Sequence, residues 1–297
     1  MKVLLAIDSS EFSEPVISEV ASRPWPEGSV VFVLTVVDLF ALTYSLGYLK
    51  PFIKNENEAA RALVQSVADR LASGGIETVT QVIEAHPVTC IIEQAAAWDA
   101  DFIFVGSHGH SGVARFFLGS IAKGVLRNAP CSVVIVRRPE RQPIKGTKRV
   151  LLATDGSAHS EAAARSVSQR PWPEDSVVRV VSVIDPMIPV MDPWYAAGEV
   201  IDQIRQQTKK ECEEAVASAH KIVTDAGLNA TTAVLSGSPK RRIIEYAKEW
   251  EADLIVIGSH GRRGLTRLAI GSVSEAVAMN AECSVEVIRA RALLDKT

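Results

Sequence analysis

The chain has 297 residues, 47% hydrophobic and 23% charged, with a formal net charge of −3. That is the length of about two ordinary domains and the make-up of a folded globular chain, not a disordered one. It argues against a nucleic-acid partner, which calls for a clustered basic surface, and no apolar run reaches the roughly 18 residues of a membrane helix.

The apolar stretch behind Met1 is too short for a signal sequence. Four cysteines, Cys90, Cys131, Cys212 and Cys283, form no C-x-x-C pair, so a reduced, cytoplasmic setting is expected with no membrane partner. The basic group from Arg137 to Arg149 contains two prolines and reads as a solvated linker.

In chain order, residues 2–7 read as a buried strand and 11–22 as a helix that stops ahead of Pro24. Residues 29–37 are Val-rich strand, and 56–73 form an amphipathic helix with Leu63, Val67 and Leu71 on one face and Gly74-Gly75 as its stop. Residues 76–84 suit an edge strand, 88–98 a helix, 101–105 a central strand, 120–128 a helix and 132–136 a last strand. The series then repeats at 149–154, 158–169, 176–184, 199–226, 228–235, 239–250, 253–257, 272–280 and 284–288.

This is a duplication. Val3-Leu4-Leu5-Ala6-Ile7-Asp8 returns as Val150-Leu151-Leu152-Ala153-Thr154-Asp155, and Arg23-Pro24-Trp25-Pro26-Glu27 returns unchanged from Arg170 to Glu174. The offset is 147 residues at first and 152 from Gly75/Gly227 onward. Such a period marks a duplicated domain, not a solenoid unit. The expected domains are 1–139 and 148–290, joined by a linker over 140–147. Strands alternating with helices predict an α/β fold of two tandem doubly wound domains, whose ligands bind beyond the strand carboxyl ends.

Each central strand runs into one glycine pattern. Gly106-Ser107-His108-Gly109 is followed after nine residues by Gly119-Ser120, and Gly258-Ser259-His260-Gly261 after nine by Gly271-Ser272. Such a loop is either a phosphate cradle at a helix start or a tight turn that packs strand on helix. Asp8 and Asp155 either meet a ligand or cap the next helix, a task open to Ser10 and Ser157 as well. Arg115 and Arg267 are equivalent in the repeat and offer multi-donor forks to phosphate. Arg262 and Arg263 replace His110 and Ser111, so the second loop is expected to hold a phosphate-bearing ligand more tightly. His108 and His110 alone make a poor metal site, the second loop has Arg262 in place of His110, and no protein-held metal is expected. Mg²⁺ or Mn²⁺ would ride on the phosphates. The repeated Trp25 and Trp172 read as packing residues. No P-loop, dinucleotide fingerprint, nucleophile elbow or kinase signature is present, and no catalytic residue is assigned.

With the G-x-x-G-x(9)-G-[S/T] pattern met twice, the chain resembles the universal stress protein family in its tandem form, over nearly its whole length. Asp8 and Asp155, the Val36-Val37-Asp38 and Val183-Ile184-Asp185 strand ends, and Ala129-Pro130-Cys131-Ser132-Val133 support the likeness. The resemblance implies a five-stranded parallel sheet of order 3-2-1-4-5 in each half. It implies ATP, with the adenosine part at Asp8 and Asp155 and adenine read by backbone at Val36 and Val183. Ribose and phosphates then fall to Gly106, Gly109, Gly119 and Ser120, and to Gly258, Gly261, Gly271 and Ser272. It also implies pairing of the two last strands, or a homodimer, in which Glu286 turns to solvent or to a basic partner. The expected function is an ATP-binding stress-response regulator with one site per domain and little turnover. The alternatives are a slow ATPase or a protein self-phosphorylating at Ser120 or Ser272, and an interaction module that binds no nucleotide.

Overall fold

The computed structural model describes residues 1–38, 50–109, 118–138, 147–186, 198–262 and 270–290. The chain divides into two compact units, Met1–Arg138 and Pro139–Thr297. The first runs β1 (Lys2–Ala6), α1 (Ser13–Ser22), β2 (Val30–Val37), α2 (Lys50–Ser73), β3 (Glu77–Glu84), α3 (Pro87–Ala97), β4 (Phe102–Gly106), α4 (Ser120–Asn128) and β5 (Ser132–Val136). Its sheet is parallel throughout and ordered β3-β2-β1-β4-β5.

The second unit runs β6 (Arg149–Ala153), α5 (Ala158–Ser168), β7 (Val177–Ile184), α6 (Gly198–Asp225), β8 (Asn229–Ser236), α7 (Pro239–Glu249), β9 (Leu254–Gly258), α8 (Ser272–Asn280) and β10 (Ser284–Ile288). Its sheet has the same order, β8-β7-β6-β9-β10, again parallel. These are the two tandem doubly wound domains anticipated above. Among the described residues no helix is long and apolar enough to cross a membrane.

Helical crossovers cover both faces of such a sheet, so its central strands must be apolar on both sides. Val3, Leu4, Leu5, Ile103 and Phe104 are fully buried, as are Val150, Leu151, Leu152, Leu254 and Ile255. The strand order reverses between β1 and β4, and between β6 and β9. Those switch points open a crevice at the strand carboxyl ends.

Two helix starts differ from expectation. α2 already runs from Lys50, six residues before Glu56, and Pro51 near that end has no N–H to lose. α1 begins at Ser13, where residues 10–13 first make a turn that closes from Ser13 N–H to Ser10 C=O at 3.2 Å. Ser157 caps α5 by accepting from Ser160 N–H at 3.3 Å. Ser10 does not cap α1, whose N-cap is Phe12 with no side-chain bond.

The repeated Arg-Pro-Trp-Pro-Glu turn clasps the end of its preceding helix. Trp25 and Trp172 each donate their indole N–H, to Val20 C=O and Val167 C=O, at 2.8 Å. The arginine lies over the indole in both units. Its carboxylate partner comes from different places. Arg23 pairs with Glu19 one turn back at 2.9 Å. Arg170 instead grips Glu286 of β10 with two bonds of 2.6 and 3.1 Å, the side chains 4% and 0% exposed. The position of Glu286 is Val134 in the first unit.

Candidate functional site

The site begins where β1 stops. Ile7 N–H still bonds Leu34 C=O at 3.0 Å, and the chain then turns at Asp8. Ser13 Oγ accepts from Asp8 N–H and donates to Asp8 Oδ1, each at 2.9 Å. Ser10 donates to the same Oδ1 from its N–H at 3.1 Å and its hydroxyl at 2.5 Å. One carboxylate oxygen is thus anchored, while among the described residues Oδ2 has no donor. A Cβ on Gly109 would lie 2.9 Å from that Oδ2. Glycine is therefore what lets the loop close over the carboxylate.

The remaining glycines are also set by close approaches, though less tight ones. A Cβ on Gly106 would meet Phe12 C=O and His108 C=O at 3.1 Å, and one on Gly119 would meet Ser107 C=O at 3.3 Å. Gly119 N–H bonds Ser107 C=O at 2.8 Å and folds the loop back onto the start of α4. Gly119 is the N-cap and supplies no side chain to the first turn. The N–H groups there, with the exposed hydroxyl of Ser120 beside them, form a positive helix end.

β2 supplies the third wall. Leu34 C=O faces β1 and Val37 C=O accepts from Ala85 N–H on the β3 side. Backbone groups alternate along a parallel strand, so the N–H and C=O of Val36 face the β1 side just beyond the end of β1. Together these elements bound a cavity of about 590 Å³. Asp8, Val36, Gly106, Gly109, Gly119 and Ser120 all line it. So do Ser13, Thr35 and an α2 face of Glu56, Ala59, Ala60 and Leu63, which the glycine pattern does not reveal. Among the described residues, Thr35 Oγ1 and His108 Nε2 are buried without hydrogen-bond partners. Thr35 hides within a strand of valines, and the serine five residues after Asp8 was the one signal for Ser13.

The second unit repeats the loop with other partners. Asp155 accepts from Ser157 N–H at 3.0 Å on Oδ1 and from Arg262 N–H at 2.9 Å on Oδ2. Burial alone would raise its pKa, but these bonds and the hydroxyls of Ser157 and Ser160 outweigh it and hold the carboxyl below the usual value. A Cβ on Gly261 would lie 2.7 Å from Asp155 Oδ2, and one on Gly258 would lie 2.6 Å from His159 C=O. Gly271 N–H bonds Ser259 C=O at 2.7 Å, ahead of Ser272 at the start of α8. Val183 keeps the register of Val36, since Thr154 N–H bonds Val181 C=O and Gly237 N–H bonds Ile184 C=O.

The Arg262 guanidinium forms an ion pair with Glu211 of α6. It stands beside a cavity of about 220 Å³ lined by Thr154, Gly156, Ser160 and the α6 face, and not by Val183 or the motif glycines. His260 is 8% exposed, its ring 5.0 Å from that of His159. Arg115 and Arg267, with His110, Ser111 and Arg263, lie outside the described residues. No cluster of three or more His, Cys, Asp or Glu is placed to hold a metal among the described residues.

The model of the universal stress protein family matches residues 1–137 and again 146–289. A universal stress protein of Methanocaldococcus jannaschii is 34% identical over 142 residues, covering 48% of this chain and 82% of its own. One from Mycolicibacterium smegmatis is 26% identical over 301 residues, covering 97% of both chains. The crystal structure of a universal stress protein from Archaeoglobus fulgidus superposes with a TM-score of 0.64 at 22% identity, covering 97% of this chain and 98% of that one. With both halves matched and the fold repeated in each, the chain belongs to the universal stress protein family, in its tandem two-domain form.

Proposed function

We propose that the first unit binds an adenine nucleotide, with ATP as the ligand of choice, and that the protein acts as a nucleotide-dependent regulator in the stress response. The observation that carries this is the convergence of Asp8, Val36, Gly106, Gly109, Gly119 and Ser120 on one cavity of about 590 Å³. Cavities of roughly 300–1,000 Å³ suit small-molecule ligands. In this reading the Val36 N–H and C=O meet the adenine edge, as an acceptor–donor pair on a purine requires. Asp8 Oδ2 accepts from a ribose hydroxyl. The phosphates lie on the glycine loop and the N-terminus of α4, with Ser120 donating to them.

The matching residues of the second unit, Asp155, Val183, Gly258, Gly261, Gly271 and Ser272, take the same roles. Arg115 and Arg267 are assigned to the phosphates on the chemistry of their guanidinium forks and their equivalence in the repeat. A divalent cation enters with the phosphates and takes its ligands from them. Mass spectrometry of gently purified protein tests the reading. Retained ATP supports a binding regulator, ADP accumulating with time supports slow turnover, and a chain that never carries or takes up nucleotide overturns both.

A further inference from the structure

The second site differs from the first at three positions, one each on the glycine loop, on α6 and after β6, that meet at one point. The 152-residue offset holds through the long helices, for buried Ala60, Val64, Val67 and Leu71 of α2 match buried Cys212, Val216, Ala219 and Val223 of α6. It pairs Ala59, on the wall of the first cavity, with Glu211, and His110 with Arg262. The 147-residue offset of the first part pairs Ser9, also on that wall, with Gly156. Glu211 and Arg262 form an ion pair from helix to loop. Gly156 makes room for it, since a Cβ there would lie 3.1 Å from Arg262 Nη2. Its φ of +77° is one that serine tolerates poorly. Arg262 N–H also bonds Asp155 Oδ2 at 2.9 Å, which ties the loop to the end of β6 beside the ion pair.

We infer that the two loops are unequal sites: the first loads nucleotide readily, and the Arg262–Glu211 bridge holds the second shut. This rests on the nucleotide reading above and reverses the expectation drawn from the extra arginines. A nucleotide approaching the second loop meets a carboxylate where the first unit presents a methyl group. If the phosphates draw Arg262 away, Glu211 keeps only the neutral Gln207 amide, at 3.0 Å, and its charge faces an anion uncompensated. The bridge therefore opposes the ligand whichever way Arg262 turns.

The test is calorimetric titration of ATP into the full chain, with native mass spectrometry to count bound nucleotide. Two classes of site are expected, the first at least about tenfold tighter, or 1.4 kcal/mol. Gly119→Val should remove the tight class and Gly271→Val the weak one. Glu211→Ala, which gives the second unit the residue found at position 59, should tighten the weak class by about fivefold or more and leave the tight class unmoved. Adding Arg262→His should keep that gain. Loss of the tight class in Gly271→Val, equal classes in the unmodified chain, or a weak class made weaker or left unchanged by Glu211→Ala would overturn the inference while leaving the nucleotide reading intact. No binding at either site would sink both.

Discussion

Gly109→Ala separates the loop from the carboxylate it covers. The added methyl would lie 2.9 Å from Asp8 Oδ2, which is the only group within 4 Å of it among the described residues. The backbone there is not in the left-handed region, so alanine itself is unstrained. The carboxylate must move, yet Ser10 and Ser13 hold its other oxygen in place. The result is a turned Oδ2 and a fold otherwise kept, with stability unchanged within about 1 kcal/mol by urea unfolding. A hydrogen bond to a charged group is worth about 1.5–3 kcal/mol. Affinity for ATP at the first site should then fall roughly 10- to 150-fold. Asp8→Ala removes the same oxygen, so the double variant should bind no more weakly than Asp8→Ala alone. Unchanged affinity in Gly109→Ala, or losses that add in the double variant, would show that Asp8 does not meet the ligand.

Glu286→Val leaves Arg170 buried without its carboxylate and should cost the second unit about 3–5 kcal/mol in chemical denaturation. Ser166→Glu, which copies the Glu19 position of the first unit, should recover most of that, and a loss below about 1 kcal/mol would refute the pair's importance. His159 is held below its ordinary 6.5 by burial first, then by the charges of His260 and Arg289 against the opposing pull of Asp155. A depressed histidine protonates first in the unfolded chain, so the second unit should lose stability as pH falls from 6.5 through the folded value. His159→Phe, the residue type at position 12, should flatten that loss in pH-dependent melting, and an unaltered profile would refute it. Thr35→Val removes a buried hydroxyl that has no partner among the described residues, so the nucleotide-free protein should gain up to about 1 kcal/mol. A loss of that size would mean the hydroxyl is already satisfied.

What the sequence determined by itself is the layout. Alternating apolar strands and helices admit few topologies, because crossovers between parallel strands are right-handed and short. The switch point then puts the ends of β1, β2 and β4 together, so Asp8, Val36 and Gly106 were legible as neighbours from chain order and glycine spacing. What only the tertiary structure decided is the choice of side-chain partners. Arg262 looks like a phosphate ligand until α6 brings Glu211 to it from 51 residues away. Glu286 sits on an apolar strand until the end of α5 delivers Arg170. The shared Asp-x-Ser context of Asp8 and Asp155 ends in a cap at Ser157 and in none at Ser10. Helix phase and packing set which charged atoms meet across a fold, and separation along the chain carries no record of either.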